Sequence, residues 1–191
     1  MKFIKYTCLA VTNILMFFIG SFLSIYLPVF AIGKDHLPSW LSWFDTPDNT
    51  LDGDDGYKTL HAPFKGTQTG IKQYINRWFW LLRNPSYGFD ISVLGATVTE
   101  LPVVIKGDLL VSNNQNLTTG RKTGLSGSVY ITDDSNHFEY YYVRQWGSSS
   151  KCFRLRLGWK LSGYINAPQF FPLGSKTQFV FSVMPAASFT L

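Results

Sequence analysis

Hydrophobic and polar positions fall into three regimes along the chain. From Tyr6 to Ile32 there is no charged residue at all, and the centre reads Ile14-Leu15-Met16-Phe17-Phe18-Ile19, then Phe22, Leu23, Ile25, Tyr26 and Leu27. This run of about 27 residues exceeds the roughly 20 needed to cross a bilayer core, and two spans do not fit in it. Residues 69–83 then follow a helical period: Ile71, Tyr74, Ile75, Trp78, Phe79, Leu81 and Leu82 lie on one face, with Lys72, Gln73, Asn76, Arg77 and Arg83 opposite. Thr69 is placed to cap this helix and Asn84-Pro85 to stop it. Beyond Tyr87-Gly88-Phe89 the period shortens to two. Strands are expected at 90–98, 102–106, 108–112, 127–132, 137–146, 152–161 and 177–184. Asp133-Asp134-Ser135-Asn136 makes 127–146 a hairpin, and 113–126 reads as a loop. In 152–161, Phe153, Leu155, Leu157, Trp159 and Leu161 alternate with Arg154, Arg156, Gly158 and Lys160, as in a sheet with one wet, basic face.

The first run has two readings. Its length favours a retained membrane helix, since the apolar part of a secretory signal peptide is shorter, about 7–15 residues. The small residues of Val29-Phe30-Ala31 leave cleavage as the competing reading. Lys2 and Lys5 precede the run and aspartates crowd behind it, so the N-terminus is expected inside and the remainder outside, in the periplasm if the host is bacterial. Cys8 lies in the run and Cys152 far beyond it, so no disulfide is expected.

Charged residues make up only 15% of the chain and the net charge is +5. The densest basic group, Lys151, Arg154, Arg156 and Lys160, reads as a solvated strand face rather than a phosphate-binding stripe, and no nucleic-acid partner is expected. His36, His61 and His137 stand apart. No nucleophile elbow, phosphate loop or paired-cysteine zinc pattern occurs, so no enzyme and no catalytic residue is expected.

Between Asp45 and Gly56, five aspartates occupy twelve positions together with Pro47, Gly53 and Gly56. Such crowded like charges need water or a counter-ion. Asp48, Thr50, Asp52 and Gly53 fall at the first, third, fifth and sixth places of a calcium loop, but Thr59 stands where the bidentate glutamate belongs. A solvated turn is the favoured reading. The alternative is a divalent-cation site, with calcium as its ion, built from Asp48, Asp52, Asp54 and Asp55 and serving a hydrolytic activity.

The blocks WFDTPDNTLDGDDG, RWFWLLRNPSYGF and LRLGWKL, with FVFS and Pro185 behind them, resemble a family of small uncharacterised proteins of tailed phages and prophages. The likeness covers about residues 37–185, with Thr50 and Val183-Met184 departing from the pattern. It implies phage origin, a hydrophobic N-terminal segment and no assigned activity. It also marks Asp45, Asp48, Asn49, Asp52, Gly53, Arg83, Asn84, Pro85, Tyr87 and Gly88 as signature residues. A charge-assisted pair between Arg83 or Arg77 and one of the aspartates would dock the acidic loop on the helix end.

The expected molecule is an α+β protein with an N-terminal transmembrane helix and one amphipathic helix packed on a mainly antiparallel sheet. Residues 1–33 form the membrane segment, 34–66 an acidic membrane-proximal region, and 67–191 a strand-rich domain opening with the helix 69–83. Its partners are the lipid bilayer, crossed once, and a protein of the host envelope or virion.

Overall fold

The computed structural model describes residues 2–102, 104–112, 115–116, 121–122 and 125–189; most of the expected 113–126 loop lies outside the described residues. The chain divides into two compact bodies, one of Val11–Leu94 and one joining Met1–Ala10 to Gly95–Leu191. The fold is α+β, with an N-terminal apolar helix and a mainly antiparallel sheet.

Helix α1 (Lys2–Leu23) opens the chain, and a short 3-10 turn, Leu27–Ala31, follows it. In the Val11–Leu94 body a second 3-10 turn (Ser39–Phe44) and a π turn (Tyr57–His61) lead to helices α2 (Gly70–Arg83) and α3 (Tyr87–Ser92). Its core is Leu27, Ala31, Leu37, Leu41, Phe44, Leu51 and Leu81, with Met16 and Leu23 of α1 packed against it. The amphipathic helix forms as the period requires, but it is rolled. Asn76, Arg77, Trp80 and Leu81 are buried, while Ile71, Phe79 and Leu82 are exposed. It packs against the turn at Leu27–Ala31, within this body.

The other body carries β1 (Ala96–Thr97), β2 (Val104–Gly107), α4 (Leu109–Ser112), β3 (Gln115–Asn116), β4 (Arg121–Lys122), β5 (Gly127–Thr132), β6 (Phe138–Gln145), β7 (Lys151–Trp159), α5 (Ser162–Asn166), β8 (Lys176–Thr177) and β9 (Phe179–Ser188). Five strands form one antiparallel sheet in the order β2-β5-β6-β7-β9. The β5–β6 hairpin is latched at its turn, where the Asp133 carboxylate accepts the His137 backbone N–H (2.8 Å) and meets the His137 ring (2.7 Å). Pro185 is tolerated in β9 because that strand is an edge, and its carbonyl accepts the Trp146 indole N–H (2.6 Å).

Two expected strands are helices. In 108–112, the Asp108 carboxylate accepts the Leu110 N–H (2.9 Å) and so caps the first turn of α4, the helix that covers β5 and β6. Most of 90–98 belongs to α3 and its exit, leaving only Ala96–Thr97 as strand. Short apolar runs carry no length signal that separates a strand from a buried helical turn.

The sheet also departs from the expected wet basic face. Opposed residues share a face, so the register puts Val129, Ile131, Glu139, Tyr141, Val143, Arg154 and Arg156 together. That face is the covered one: Val129, Ile131, Glu139, Tyr141 and Val143 are buried, and Arg154 and Arg156 are half-buried. The Glu139 carboxylate explains the inversion. It accepts Arg156 Nε–H and the Ser162 N–H, both at 2.6 Å, so the arginine side turns inward over a matched anion. Phe153, Leu155 and Leu157 stay half-buried on the opposite face, and Phe181 and Val183 are exposed there.

Candidate functional site

Each aspartate of the acidic loop is held by a different partner. Asp45 accepts the Thr46 backbone N–H (2.9 Å) and meets His36 Nδ1 (3.1 Å). Asp48 accepts the Tyr87 hydroxyl (2.9 Å), Asp54 accepts the Tyr57 N–H (2.6 Å), and Asp55 lies exposed with Lys58 Nζ 4.0 Å away. Asp52 takes a two-pronged contact from Arg77, Nε at 2.7 Å and Nη2 at 3.1 Å, while Gln73 donates to both carboxylate oxygens. Burial alone would raise the Asp52 carboxyl, but the Arg77 and Gln73 hydrogen bonds outweigh it and hold the group below the usual carboxylate range. Asp48, Asp52, Asp54 and Asp55 are therefore not drawn together as a ligand set. Among the described residues, no group of three or more His, Cys, Asp or Glu side chains is placed to hold a metal ion.

Further contacts lock this loop to the α2–α3 corner. Arg77 meets the aspartate, and its Nη1 also donates to the carbonyls of Ala31 (2.8 Å) and Lys34 (2.9 Å); Arg83 is exposed. Asn49 closes a turn through its N–H on the Thr46 carbonyl (3.0 Å), and the Thr46 hydroxyl accepts the Trp80 indole N–H (3.0 Å). Gly53 has φ +78°, and a side chain there would collide with the Tyr57 ring 2.5 Å away. Asn84 caps α2 by donating from Nδ2 to the Trp80 carbonyl (3.1 Å). Gly88 lies so close to the chain at Ser42 that a Cβ would stand 1.9 Å from its carbonyl oxygen. These contacts are structural. They tie the acidic loop to the segment that ends α2 and opens α3.

The apolar surface of α1 is arranged inside out. Its buried positions are Tyr6, Ala10, Asn13 and Gly20, with Ser24 just past its end: small or polar residues at helical spacing. Asn13 Nδ2 donates to Asp90 Oδ1 (2.7 Å), and Gly20 packs so closely on the Pro85 carbonyl that a Cβ would stand 1.8 Å from its oxygen. Within the sheet body, Tyr6 sits 5.0 Å from Phe138 and 5.2 Å from Phe179, ring to ring, and its hydroxyl donates to the Val180 carbonyl (3.1 Å). The outward positions are Val11, Leu15, Phe17, Phe18, Ile19 and Phe22, with Phe18 65% and Phe22 72% exposed. Beyond the helix, Phe30 and Trp40 pair at 5.4 Å and are both exposed. Over Ile4–Leu23 the helix is long and apolar enough to cross a membrane, a property shared by signal sequences and by buried core helices.

A family model matches residues 1–190, which is nearly the whole chain. The chain belongs to the family of unknown function DUF7338. Among curated proteins and solved structures, none matches it.

In this DUF7338 member, the side chains that sequence reasoning missed are Glu139 and Arg156. Glu139 is 0% exposed and Arg156 lies 5.3 Å over the Tyr141 ring. An isolated glutamate in an alternating strand gives no sign that an arginine of the next strand will cover it. His36–Asp45 and His137–Asp133 are pairs whose carboxylates also accept backbone N–H groups, so they fix loops. His61 is exposed. Cys152 is buried, its thiol is pushed up by burial, and neither cysteine is in a disulfide. A cavity of about 340 Å³ is lined by Pro28, Ile32, Gly33, Ile71, Tyr74 and Arg77. Its polar members are engaged, Arg77 as described and the Tyr74 hydroxyl by donating to the Ile25 carbonyl.

Proposed function

We propose that this chain is a phage-encoded membrane protein, attached to the bilayer through the outward face of α1, with a structural or interaction role at the host envelope and no catalytic centre. One observation carries the reading: α1 buries Ala10, Asn13 and Gly20 and leaves Val11, Leu15, Phe17, Phe18, Ile19 and Phe22 exposed. Water would favour the opposite arrangement, whereas hydrocarbon favours this one, since helices in lipid pack through small residues and expose large apolar ones. A cleaved leader would be discarded, yet Tyr6, Asn13 and Gly20 are each fitted to partners far along the chain. That fit favours retention. Phage origin rests on the sequence resemblance.

Flotation tests the reading. Full-length protein made in a cell-free system with vesicles of phosphatidylethanolamine and phosphatidylglycerol is expected to rise with them in a density gradient. Phe18→Glu with Phe22→Glu is expected to leave it at the bottom while circular dichroism stays that of the parent. Full-length parent protein that remains in the dense fractions, soluble and untrimmed, overturns the proposal.

A further inference from the structure

We infer that α2 is a second membrane contact: its outward stripe of Ile71, Ile75, Trp78, Phe79 and Leu82 lies in the interfacial zone of an anionic membrane, with Lys72 and Arg83 at the lipid phosphates along its edge. The inference rests on the membrane reading proposed above and extends it from α1 to α2. It takes no orientation of α1 as its premise.

At 3.6 residues per turn, these five side chains fall within one arc of about 100°, the width of a stripe that ordinarily faces a core. Here the stripe faces away from one. Ile71 is 71% exposed, Phe79 41% and Leu82 38%; Ile75 and Trp78 are half-buried, and the Trp78 and Phe79 rings stand 5.0 Å apart. The polar side of the helix points inward and is satisfied there, Arg77 and Gln73 on Asp52 and Asn76 on the Phe64 backbone. These bonds fix the roll, so the stripe cannot turn inward without leaving buried groups unpaired. Water gives no reason to hold an apolar stripe outward, whereas the membrane interface does.

What borders the stripe selects the occupant. Lys72 and Arg83 are exposed along one edge, and α2 contains no acidic residue. Lys72 Nζ rests 5.6 Å from the Phe64 ring, and among the described residues neither cation has a carboxylate within ion-pair distance. A second copy seated on this face by two-fold symmetry would set these cations against their own twins with no acid between them. Lipid phosphates neutralise them. The stripe also runs on into the end of the uncharged segment that carries α1. Helix α2 packs against the turn at Leu27–Ala31, whose Val29 and Phe30 are exposed. Ile71 and Tyr74 share the cavity of about 340 Å³ with Pro28 and Ile32, the last of them 75% exposed. A Trp- and Phe-bearing apolar face edged by Lys and Arg is the composition of a helix that lies in the interface.

Collision measurements on spin-labelled full-length protein test this. In a Cys8→Ala, Cys152→Ala background, Ile71→Cys, Phe79→Cys and Leu82→Cys each carry a nitroxide on the stripe, and Asp55→Cys, at a fully exposed side chain, serves as the control. The protein is floated on vesicles of phosphatidylethanolamine and phosphatidylglycerol. At the three stripe positions oxygen is expected to collide with the label more often than a water-soluble nickel chelate does, and at Asp55 the order is expected to reverse. Nickel contact on the stripe equal to that at Asp55 overturns the inference and leaves the attachment of α1 standing. Low contact with both reagents shows protein on the face, a second copy where the spectra are broadened by a neighbouring label, and overturns it too. Failure to float overturns the membrane reading itself, and this inference with it. The unaltered chain gives a second readout where the cysteine-free background folds poorly. A phospholipid with a diazirine in its acyl chain is expected, on illumination, to label the tryptic peptide of residues 78–83. Label on the peptide of residues 6–34 and none on 78–83 overturns the inference.

Discussion

At the scale of single residues, Arg77 carries more of the fold than any charged side chain near it. It is 6% exposed at the side chain, pairs with Asp52 through two nitrogens and closes two carbonyls with the third. Arg77→Ala would leave Asp52 without its cationic partner, with Gln73 alone donating to it, and two carbonyls without this donor, so it is expected to cost about 3 kcal/mol in denaturant unfolding, with Arg77→Lys recovering only part. The pH dependence follows from the same pair. Asp52 is held below its ordinary value when folded, so its contribution is complete above about pH 4 and is lost as pH falls through the lowered folded value. Unfolding midpoints measured between pH 2 and 6 should fall with acid, and Arg77→Ala should flatten that part of the slope. Tyr57 acts at the other end of the scale. Burial pushes its hydroxyl up to about 12, so its contribution is full below pH 10 and is lost as pH rises towards 12. Tyrosinate absorbance should show this late group disappear in Tyr57→Phe. Sequence reading anticipated an arginine–aspartate contact here but could not choose between Arg77 and Arg83. They lie on one polar helix face, and only the path of residues 31–52 selects the inner one.

At the scale of elements, periodicity gave the existence of α2 and its limits to within a residue, but not its roll. The pattern assumes that water lies outside and that large apolar residues go in. Asn76 is buried because its amide accepts the Phe64 N–H (3.0 Å) and donates to the Phe64 carbonyl (2.8 Å), a match that no local pattern encodes. The same assumption failed in β7, where Glu139 draws Arg156 inward. It failed again along α1, where uniform apolarity hides which stripe is the seat. The seat rests on Gly20. Gly20→Leu drives a side chain into the Pro85 carbonyl and is expected to destabilise by about 2 kcal/mol or more, because that neighbour is backbone. Hydrogen exchange in residues 84–90 should then accelerate. Phe18→Leu, on the outward face, should leave exchange there unchanged.

At the scale of the whole molecule, the fold class was legible because a long uncharged run, a 3.6-residue period and a 2-residue period each announce a different element. The compact bodies are a matter of contacts, which no period announces. The first ten residues join the body formed by Gly95–Leu191, and α2 joins the body of Val11–Leu94. Dispersed partners for the acidic loop also lead to a thermal prediction. Melting followed in millimolar calcium should show no shift beyond that of matched magnesium, since linkage requires a site that the folded state forms. Tyr6 has a consequence for synthesis. Its bond to Val180 joins positions 174 apart, so the first turn leaves the ribosome long before its socket exists. Chain closure over such a distance is slow, and until the last strands emerge the first turns of the helix have no seat, whatever Asn13 and Gly20 have already found. Nascent chains stopped short of β9 would keep them in that condition.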